Sequence, residues 1–342
     1  MRAFTALAGL SLLASSALAK PVTLASRNSS STGQSVVYWG QNGGGTIENN
    51  DLAAYCKANS GIDVLVIGFL YQYGNGNNVP GGLFGQSCTI TSGKGQNCDS
   101  LASAIPTCQK AGIKIVLSLG GANGGYSLQS TSEAQQIGQY LWDAYGGGSG
   151  NSSARPLGDA VVDGFDFDIE NPNGAKYYPD LISTLRSNFA KDTSKTYWIT
   201  GAPQCPIPEP NMGTIIKNAQ FDKIWVQFYN NNNYTHPCAL GINGDAAFNW
   251  DDWKSFTADG ASKDAQLYVG VPASELGANG TPTGSVYYAT PSQLATIVSS
   301  IKDDSRFGGV MMWSAGFSDA NVINGCTFAQ QVSSILKTGS PC

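Results

Sequence analysis

Three carboxylic acids recur at alternate positions in one short segment of the chain. Asp166, Asp168 and Glu170 are separated by Phe167 and Ile169. Successive side chains of a β-strand point to opposite faces, so the three acids are predicted to share one face and the apolar residues the other. Neighbouring carboxylates raise one another's pKa, and a carboxyl that stays protonated near neutral pH can act as a general acid. The segment therefore predicts an acid–base site, with Glu170 nearest to a substrate.

Two other interpretations of this segment are a metal site and a buried acid cluster satisfied by tyrosines and amides. The Asp-x-Asp-x-Glu spacing resembles part of a calcium loop, but the glycine of that loop is absent and the intervening residues are bulky. His236 is the only histidine and no Cys-x-x-Cys pair occurs, which argues against zinc. We therefore expect neither a metal nor another cofactor.

Eight apolar segments of β type alternate with helical patterns along the chain. The predicted strands cover residues 35–40, 64–69, 114–121, 164–170, 197–203, 223–229, 266–273 and 308–315, and predicted helices include 132–145, 178–191, 292–303 and 327–337. Nearly continuous apolar strands joined by helices indicate parallel pairing with both faces buried. The pattern predicts a single (βα)8 barrel, which carries its active site at the C-terminal ends of the strands. A doubly wound open sheet is the alternative, but no Gly-rich phosphate motif follows the first strand.

The composition excludes several classes of function. The chain has 342 residues, of which 42% are hydrophobic and 13% charged, as in a foldable globular protein. With 19 basic and 24 acidic residues the net charge is −5, so no basic surface is expected for nucleic acid or for an anionic membrane.

The N-terminus has the pattern of a secretory signal. Arg2 precedes an apolar run over residues 3–14, and Ala17-Leu18-Ala19 supplies a small-x-small cleavage site. We assign residues 1–19 to the signal peptide, 20–34 to a flexible polar segment and 35–342 to the catalytic barrel. No later run reaches the ~20 apolar residues that a spanning helix needs. The mature protein is therefore expected to be extracellular, either free or associated with the cell wall.

Two further features agree with export. Eight cysteines, an even number, are read first as disulfides in an exported chain. Four Asn-x-Ser/Thr sequences could accept glycans in a eukaryotic secretory pathway, so we expect a glycoprotein. These begin at Asn28, Asn151, Asn233 and Asn279.

The segment from Asp163 to Glu170 matches the D-G-x-D-x-D-x-E signature of glycoside hydrolase family 18. Further blocks resemble the hevamine-like, class III chitinases of that family, in their fungal type. They are YWGQN at 38–42, SLGG at 118–121, RPLGDA at 155–160, APQCP at 202–206, WVQFYN at 225–230 and GVMMWS at 309–314. The resemblance runs from the first predicted strand to the last. It implies the same (βα)8 barrel and an endo-acting chitinase that hydrolyses β-1,4-linked N-acetylglucosamine polymers.

The resemblance also implies roles for individual residues. Members of the family retain the anomeric configuration through substrate-assisted catalysis, in which the N-acetyl oxygen attacks the anomeric carbon and forms an oxazolinium ion. Glu170 would protonate the glycosidic oxygen and later deprotonate water. Asp168 would orient the acetamido group, Asp166 would share a proton with Asp168, and Tyr229 would hydrogen-bond the acetamido oxygen.

Four further positions are implied to bind the sugar. Trp313 would floor the subsite, since an indole face suits the C–H face of a pyranose. Tyr38, Gly121 and Gln227 would line the pocket, and the missing side chain of Gly121 would admit a sugar close to the backbone.

The family pattern implies three disulfides. They are Cys56–Cys108, Cys88–Cys98 and Cys205–Cys238. The two remaining cysteines, Cys326 and Cys342, are predicted to form a fourth that pins the C-terminal helix. Residues 71–87 depart from the family pattern.

Other functions on the same barrel stay open at this point. A non-catalytic chitin-binding lectin or an inhibitor protein would tend to lose the catalytic glutamate or its partners, which are all present here. An endo-β-N-acetylglucosaminidase is disfavoured because such relatives tend to replace the residue at Tyr229, whereas lysozyme-like activity is left open. The expected partners are chitin and chitooligosaccharides, and the protein is expected to be a monomer.

Overall fold

The computed structural model of the protein describes residues 33–41, 48–148, 155–232 and 235–342. The predicted signal peptide lies outside these residues, as do Asn28, Asn151 and Asn233 and nearly all of the segment predicted to be flexible. Gln34, assigned to that segment, is instead the first residue of a strand. All the described residues belong to one compact unit.

A barrel of eight parallel strands forms the centre of the described part of the chain. Its strands are β1 (Gln34–Trp39), β2 (Val64–Gly74), β3 (Lys114–Gly120), β4 (Gly164–Asp168), β5 (Trp198–Gly201), β6 (Lys223–Gln227), β7 (Gln266–Pro272) and β8 (Phe307–Trp313). The sheet closes because β1 pairs with both β2 and β8, so that Val36 lies opposite Val64 on one side and Met311 on the other. The predicted barrel is confirmed.

Helices surround the barrel on its outer face. They are α1 (Asp99–Lys110), α2 (Thr131–Tyr145), α3 (Tyr178–Phe189), α4 (Gly213–Asn218), α5 (Trp250–Ala258), α6 (Pro291–Ile301), α7 (Ala315–Ala320) and α8 (Phe328–Thr338). Both α6 and α8 begin with a reciprocal capping box, formed by Thr290 with Gln293 and by Thr327 with Gln330. Each box satisfies N–H groups that have no partner within the helix. None of the helices in the described ranges is long and apolar enough to cross a bilayer.

Alternation along β4 separates two environments, as predicted. Phe165 and Phe167 point outward, where Phe165 stacks on Phe189 of α3 with ring centroids 6.3 Å apart. Asp166 and Asp168 point into the barrel and are buried. The strand supplies its apolar face to the helical layer, and this packing holds the acids in the interior.

The segment after the predicted end of the second strand differs most from expectation. β2 continues to Gly74 and then pairs antiparallel with a strand at Asn77–Phe84, which is followed by short strands at Cys88–Thr91 and Lys94–Gln96. Asn75 takes a positive φ of 53° at the turn, a conformation that asparagine tolerates better than most residues. The first part of this extension, up to Phe84, lies within residues 71–87, which depart from the family pattern.

Four disulfides join the chain as predicted. They are Cys56–Cys108, Cys88–Cys98, Cys205–Cys238 and Cys326–Cys342. The third joins the loop after β5 to the loop after β6, both of which reach the mouth of the barrel. The fourth ties the residues after α8 to the strand Cys326–Thr327 that precedes the helix. Each cross-link stabilises the fold mainly by restricting the unfolded chain.

Candidate active site

The C-terminal ends of the strands surround a cavity of about 150 Å³. It is lined by Tyr38, Phe69, Ala122, Asp168, Glu170, Ala202, Gln227, Tyr229, Asn230, Ala278, Met311 and Trp313. Six of the eight predicted site residues are in this lining, Asp166 lies deeper in the barrel, and Gly121 adjoins Ala122. Two of the three predicted acids, both predicted tyrosines and the tryptophan therefore converge on one concave surface.

Asp166 is fully buried and hydrogen-bonded at both carboxylate oxygens. Oδ2 accepts from Tyr38 Oη at 2.6 Å and from Ser118 Oγ at 2.6 Å; Oδ1 accepts from Thr200 Oγ1 at 2.7 Å and from Trp225 Nε1 at 3.0 Å. Burial raises the pKa of Asp166, and the four donors oppose that rise because they stabilise the anion. The geometry makes Asp166 a fixed acceptor.

Asp168 and Glu170 lie closer to the mouth, and their environments favour the protonated form. Burial raises the pKa of Asp168 well above its usual value, and the charges on Glu170 and Asp166 raise it further. Burial also raises the pKa of Glu170, against hydrogen bonds from the side chains of Gln204 and Gln227. Gln227 Nε2 also donates to Asp168 Oδ1 at 3.0 Å. Three carboxyls so close together cannot all ionise cheaply, so a proton stays within the group near neutral pH.

Tyr229 follows β6 and presents its hydroxyl at the same mouth. Burial raises its pKa well above the usual value, as do the charges of Asp168 and Glu170. The phenol therefore stays protonated and can donate a hydrogen bond into the cavity. Asn231 fixes the backbone of this turn, because its Nδ2 donates to the Tyr229 carbonyl at 2.7 Å and to the Gln227 carbonyl at 3.2 Å.

Three aromatic rings form one wall of the cavity. Trp313, the last residue of β8, packs against Tyr38 with ring centroids 5.7 Å apart and stacks on Phe69 at 6.1 Å. Tyr38 and Phe69 are 5.9 Å apart. Trp313 remains partly exposed, so an indole surface is available to a ligand in the cavity. Phe69 completes the wall and was not among the predicted residues.

Gly121 adjoins the cavity for a different reason from the one expected. Its φ is +90°, and a β-carbon placed there would lie 3.1 Å from the ring of Phe69. Its N–H donates to the Asp168 carbonyl at 2.7 Å. Backbone conformation and contact with Phe69 therefore account for glycine, and the next residue, Ala122, lines the cavity.

Comparison with known proteins identifies the family. Residues 34–285 match the family model described as Glycosyl hydrolases family 18. The chain belongs to glycosyl hydrolase family 18. The resemblance inferred from the sequence is thus confirmed.

Individual similar proteins cover most of the chain. It is 66% identical over 311 residues to Endochitinase 2 of Metarhizium robertsii, a match that covers 90% of this chain and 74% of that protein. The crystal structure of ICChI chitinase from Ipomoea carnea has a TM-score of 0.70 at 30% identity, covering 88% of this chain and 99% of that one. A xylanase and alpha-amylase inhibitor protein from Scadoxus multiflorus has a TM-score of 0.68, also at 30% identity, covering 91% and 99%.

Tyr126 holds the backbone of this family 18 site together. Its hydroxyl donates to the Gly121 carbonyl at 2.9 Å and accepts from the Glu170 N–H at 2.9 Å. Its ring stacks on Tyr73, with centroids 5.4 Å apart. One phenol thus bridges the ends of β3 and β4 and fixes the main chain of the acid.

Several contributing residues were missed from the sequence. Ser118, Thr200 and Trp225 carry three of the four donors to Asp166. Strand register puts Ser118 and Thr200 on either side of it. A signal was present, because each is a polar or amphipathic residue on the inward face of an apolar strand. Gln204 lies in a loop, where no periodicity predicts the direction of a side chain. Tyr126 lies in a three-residue strand, Gly125–Ser127, which pairs with β2 and is too short to show a periodicity.

An open groove of about 890 Å³ lies beside the segments that follow β3 and β4. It runs between the loops after β3 and β4, and amide and hydroxyl groups dominate its lining. These come from Asn75, Gln129, Asn171, Asn173 and Tyr177. Its lining includes Tyr126, whose hydroxyl accepts from the Glu170 N–H, and Asn171, the residue after Glu170. Among the described residues, no group of three or more His, Cys, Asp or Glu side chains could hold a metal ion.

Proposed function

We propose that this protein is an endochitinase that hydrolyses β-1,4-linked N-acetylglucosamine chains with retention of configuration. The observation that carries the proposal is the convergence of Asp168, Glu170 and Tyr229 on a cavity with Trp313 in its wall, in a family 18 barrel. A general acid, an acetamido-orienting carboxylate and a hydroxyl donor are the groups that substrate-assisted cleavage requires.

Glu170 supplies the proton in this proposal. It transfers a proton to the glycosidic oxygen as the bond from that oxygen to the anomeric carbon breaks. The acetamido oxygen of the same sugar forms a new bond to the anomeric carbon, and the oxazolinium ion results. Glu170, now ionised, takes a proton from the water that opens this ring. The raised pKa of Glu170 supports the first step, since an acid must enter the cycle protonated.

Asp168 and Tyr229 hold the internal nucleophile. Tyr229 donates to the acetamido oxygen, and Asp168 accepts from the acetamido N–H and balances the positive charge of the oxazolinium ion. Holding a reacting group in attack geometry can contribute several kcal/mol, on the order of 7–11 in favourable intramolecular systems. The positions of both groups in the cavity lining support this division of roles.

The proton that the resemblance implies Asp166 and Asp168 share is assigned here to one of the two residues at rest. Its four donors stabilise the anion, so we assign the resting proton to Asp168 and the negative charge to Asp166. That charge keeps the pKa of Asp168 high until the oxazolinium ion forms. When the oxazolinium ion forms, Asp168 ionises and its proton passes to Asp166, so that the pair holds one proton and one negative charge throughout.

Three further assignments belong to this proposal. The open groove that includes Asn171, the residue after Glu170, supports endo action, because it gives a polymer room beside the proposed acid. Four disulfides support an extracellular location. Chitin and chitooligosaccharides are the proposed ligands, and the name of the Metarhizium relative, an endochitinase, agrees with them.

A second candidate is a binding or inhibitor protein without turnover. The similarity to the Scadoxus inhibitor protein favours keeping it. Against it stand Asp168, Glu170 and Tyr229, which are all present and all in the cavity lining. A protein that binds chitin oligomers without releasing products would support this candidate.

The decisive experiment compares wild type with Glu170→Gln on chitin oligomers and records which anomer appears first. We expect loss of kcat by about 10²–10⁴-fold, because the variant has no proton to give, and a β-anomeric product from wild type. Glu275→Gln is the matched control: the same change at an exposed glutamate in the loop after β7 should leave kcat unchanged. An α product, or a Glu170→Gln variant within threefold of wild type, would falsify the mechanism.

A further inference from the structure

Glu209 is a buried carboxylate that the proposed mechanism does not use. It lies in the loop between β5 and α4, and only 7% of the residue is exposed. Oε1 accepts from the main-chain N–H of Gln204 at 3.3 Å, while Oε2 accepts from Asn211 at 2.9 Å and from Met212. In the described ranges no basic side chain forms an ion pair with it.

A carboxylate buried without a cation costs free energy. Burial raises the pKa of Glu209 to about 7, although the main-chain N–H groups of Met212, Asn211, Gly213 and Gln204 oppose the rise. The first three belong to the start of α4 and are groups that a helix cap would satisfy. The N–H of Gln204 does not belong to that helix. Capping α4 therefore does not explain why the carboxylate reaches back to Gln204.

Gln204 connects this loop to the catalytic acid. Its side chain hydrogen-bonds the Glu170 carboxyl and lowers its pKa. Its main chain lies beside that of Gln227 as an isolated parallel bridge. On the other side, the Cys205 carbonyl accepts from Trp253 Nε1 at 2.9 Å, and Cys205 is itself disulfide-bonded. These contacts hold the backbone on either side of the Gln204 amide. Glu209 holds the main-chain N–H of Gln204 itself.

We propose that Glu209 is a positioning residue for the proton transfer: it fixes Gln204 so that the Gln204 amide orients the carboxyl of Glu170. This inference rests on the proposed role of Glu170 as the acid. Without Glu209, the amide loses its fixed place and no longer stabilises the ionised form of Glu170. The pKa of Glu170 then rises, and fewer of its orientations permit transfer to the glycosidic oxygen.

A double-mutant cycle tests this link. Glu209→Gln keeps the size of the side chain but removes the charge, and Gln204→Met removes the amide. We expect each variant to lower kcat about tenfold and to leave KM within twofold of wild type, because the acid is misplaced rather than absent. The alkaline limb of the kcat/KM profile should move to higher pH. The double variant should be no slower than Gln204→Met, because both changes remove the same contact. Additive losses, about 100-fold together, would overturn the proposal.

Glu133→Gln is the matched control. Glu133 is also buried, at 8% exposure, and it accepts from the main-chain N–H groups of Gly76 at 2.7 Å and Gln129 at 2.6 Å. It has no contact with Gln204 or Glu170. We expect this variant to lose thermal stability with an unchanged pH profile. An equal change in the pH profile of Glu133→Gln would reduce Glu209 to a structural role and overturn the assignment.

A second readout does not need turnover. The chain contains only five glutamates, at 48, 133, 170, 209 and 275, so each side-chain carboxyl can be followed by ¹³C NMR after selective labelling. Glu209→Gln should raise the titration midpoint of Glu170, and an unchanged midpoint would refute the link. If wild type fails to hydrolyse chitin oligomers, the proposed function fails while this titration still decides the link. If Glu209→Gln does not fold, Glu209→Asp, one methylene shorter, replaces it.

Discussion

The two ends of β4 carry buried carboxylates under opposite conditions. Asp163 lies just before the strand at the bottom of the barrel, where it pairs with Lys195 Nζ at 3.1 Å and with Lys114 Nζ at 3.3 Å. It also accepts from the Ile115 N–H at 2.9 Å and from Gln109 Nε2 at 2.8 Å. Every charge at this end of the strand meets an opposite charge or a hydrogen-bond donor.

The mouth lacks that compensation. Asp166, Asp168 and Glu170 receive only amide, indole and hydroxyl donors, and within the described residues no lysine or arginine pairs with them. Burial is similar at both ends for the two aspartates Asp163 and Asp168. At the mouth, burial raises the pKa of Asp168 well above its usual value, and no cation opposes that rise. Burial without a cation is therefore what makes a carboxylate on this strand a proton carrier.

Among the variants that test this comparison between the two ends of β4, Asp168→Asn is expected to have the largest effect on kcat. The variant removes the charge that would balance the oxazolinium ion, and kcat on chitin oligomers should fall about 10²–10³-fold. The free energy of unfolding in urea at neutral pH should not fall, since the raised pKa keeps Asp168 neutral at rest and asparagine replaces a neutral carboxyl of the same shape. If stability fell together with activity, Asp168 would be a structural acid like Asp163 and the contrast between the two ends would be lost.

The opposite result is expected at the bottom of the barrel. Asp163→Asn leaves Lys114 and Lys195 without their acid, and the free energy of unfolding should fall by about 2 kcal/mol. This is less than for a fully buried pair, because the two lysine side chains are 41% and 25% exposed. We expect kcat to stay within twofold of wild type. If kcat fell by more than the fraction of unfolded protein accounts for, the two ends of β4 would be coupled.

Sequence reasoning could place the acids but could not distinguish their environments. The period of a strand is fixed by geometry, so the inward direction of Asp166 and Asp168 followed from alternation alone. Asp163 belongs to the same motif, and its different role depends on Lys114 and Lys195, which lie 49 and 32 positions away in the sequence. No local pattern reports such partners. Gln204 and Tyr126 escaped prediction for the same reason.

The fold was predictable to the same degree. The eight barrel strands were located within a few residues because long apolar segments have a strong signal. β4 ends at Asp168, so Glu170 lies just beyond the strand that was predicted to contain it. The extension of β2 and the antiparallel strands that follow were missed, because Gly-rich and polar residues around 74–86 carry little periodicity. Sheet pairing, which depends on distant residues, decides their structure.

The smallest expected effect concerns Lys223. The mouth holds buried acids without a cation, whereas Lys223 is a buried cation without an acid. This buried lysine begins β6 at the bottom of the barrel, where its Nζ donates to Tyr268 Oη at 3.0 Å and lies 4.6 Å from the ring centroid of Trp198. It forms no ion pair with an acid among the described residues. Burial accordingly lowers its pKa from 10.5 to about 8. A buried cation without an acid should destabilise the fold as long as it is charged.

The sign of the pH dependence follows from that lowered pKa. Between pH 8 and 10.5 the unfolded chain holds the proton more strongly than the folded protein does, so stability should rise with pH by at most about 1.4 kcal/mol per unit. Lys223→Met removes this group, and the hydroxyl of Tyr268 keeps Gln34 Oε1 as a partner at 2.9 Å. Urea unfolding should show the variant about 1 kcal/mol more stable than wild type at pH 7, with the advantage shrinking by pH 9.5. A difference that does not change with pH would mean that water already reaches Lys223. In that case the acids at the mouth, and not Lys223, would be the groups on which burial without an opposite charge acts.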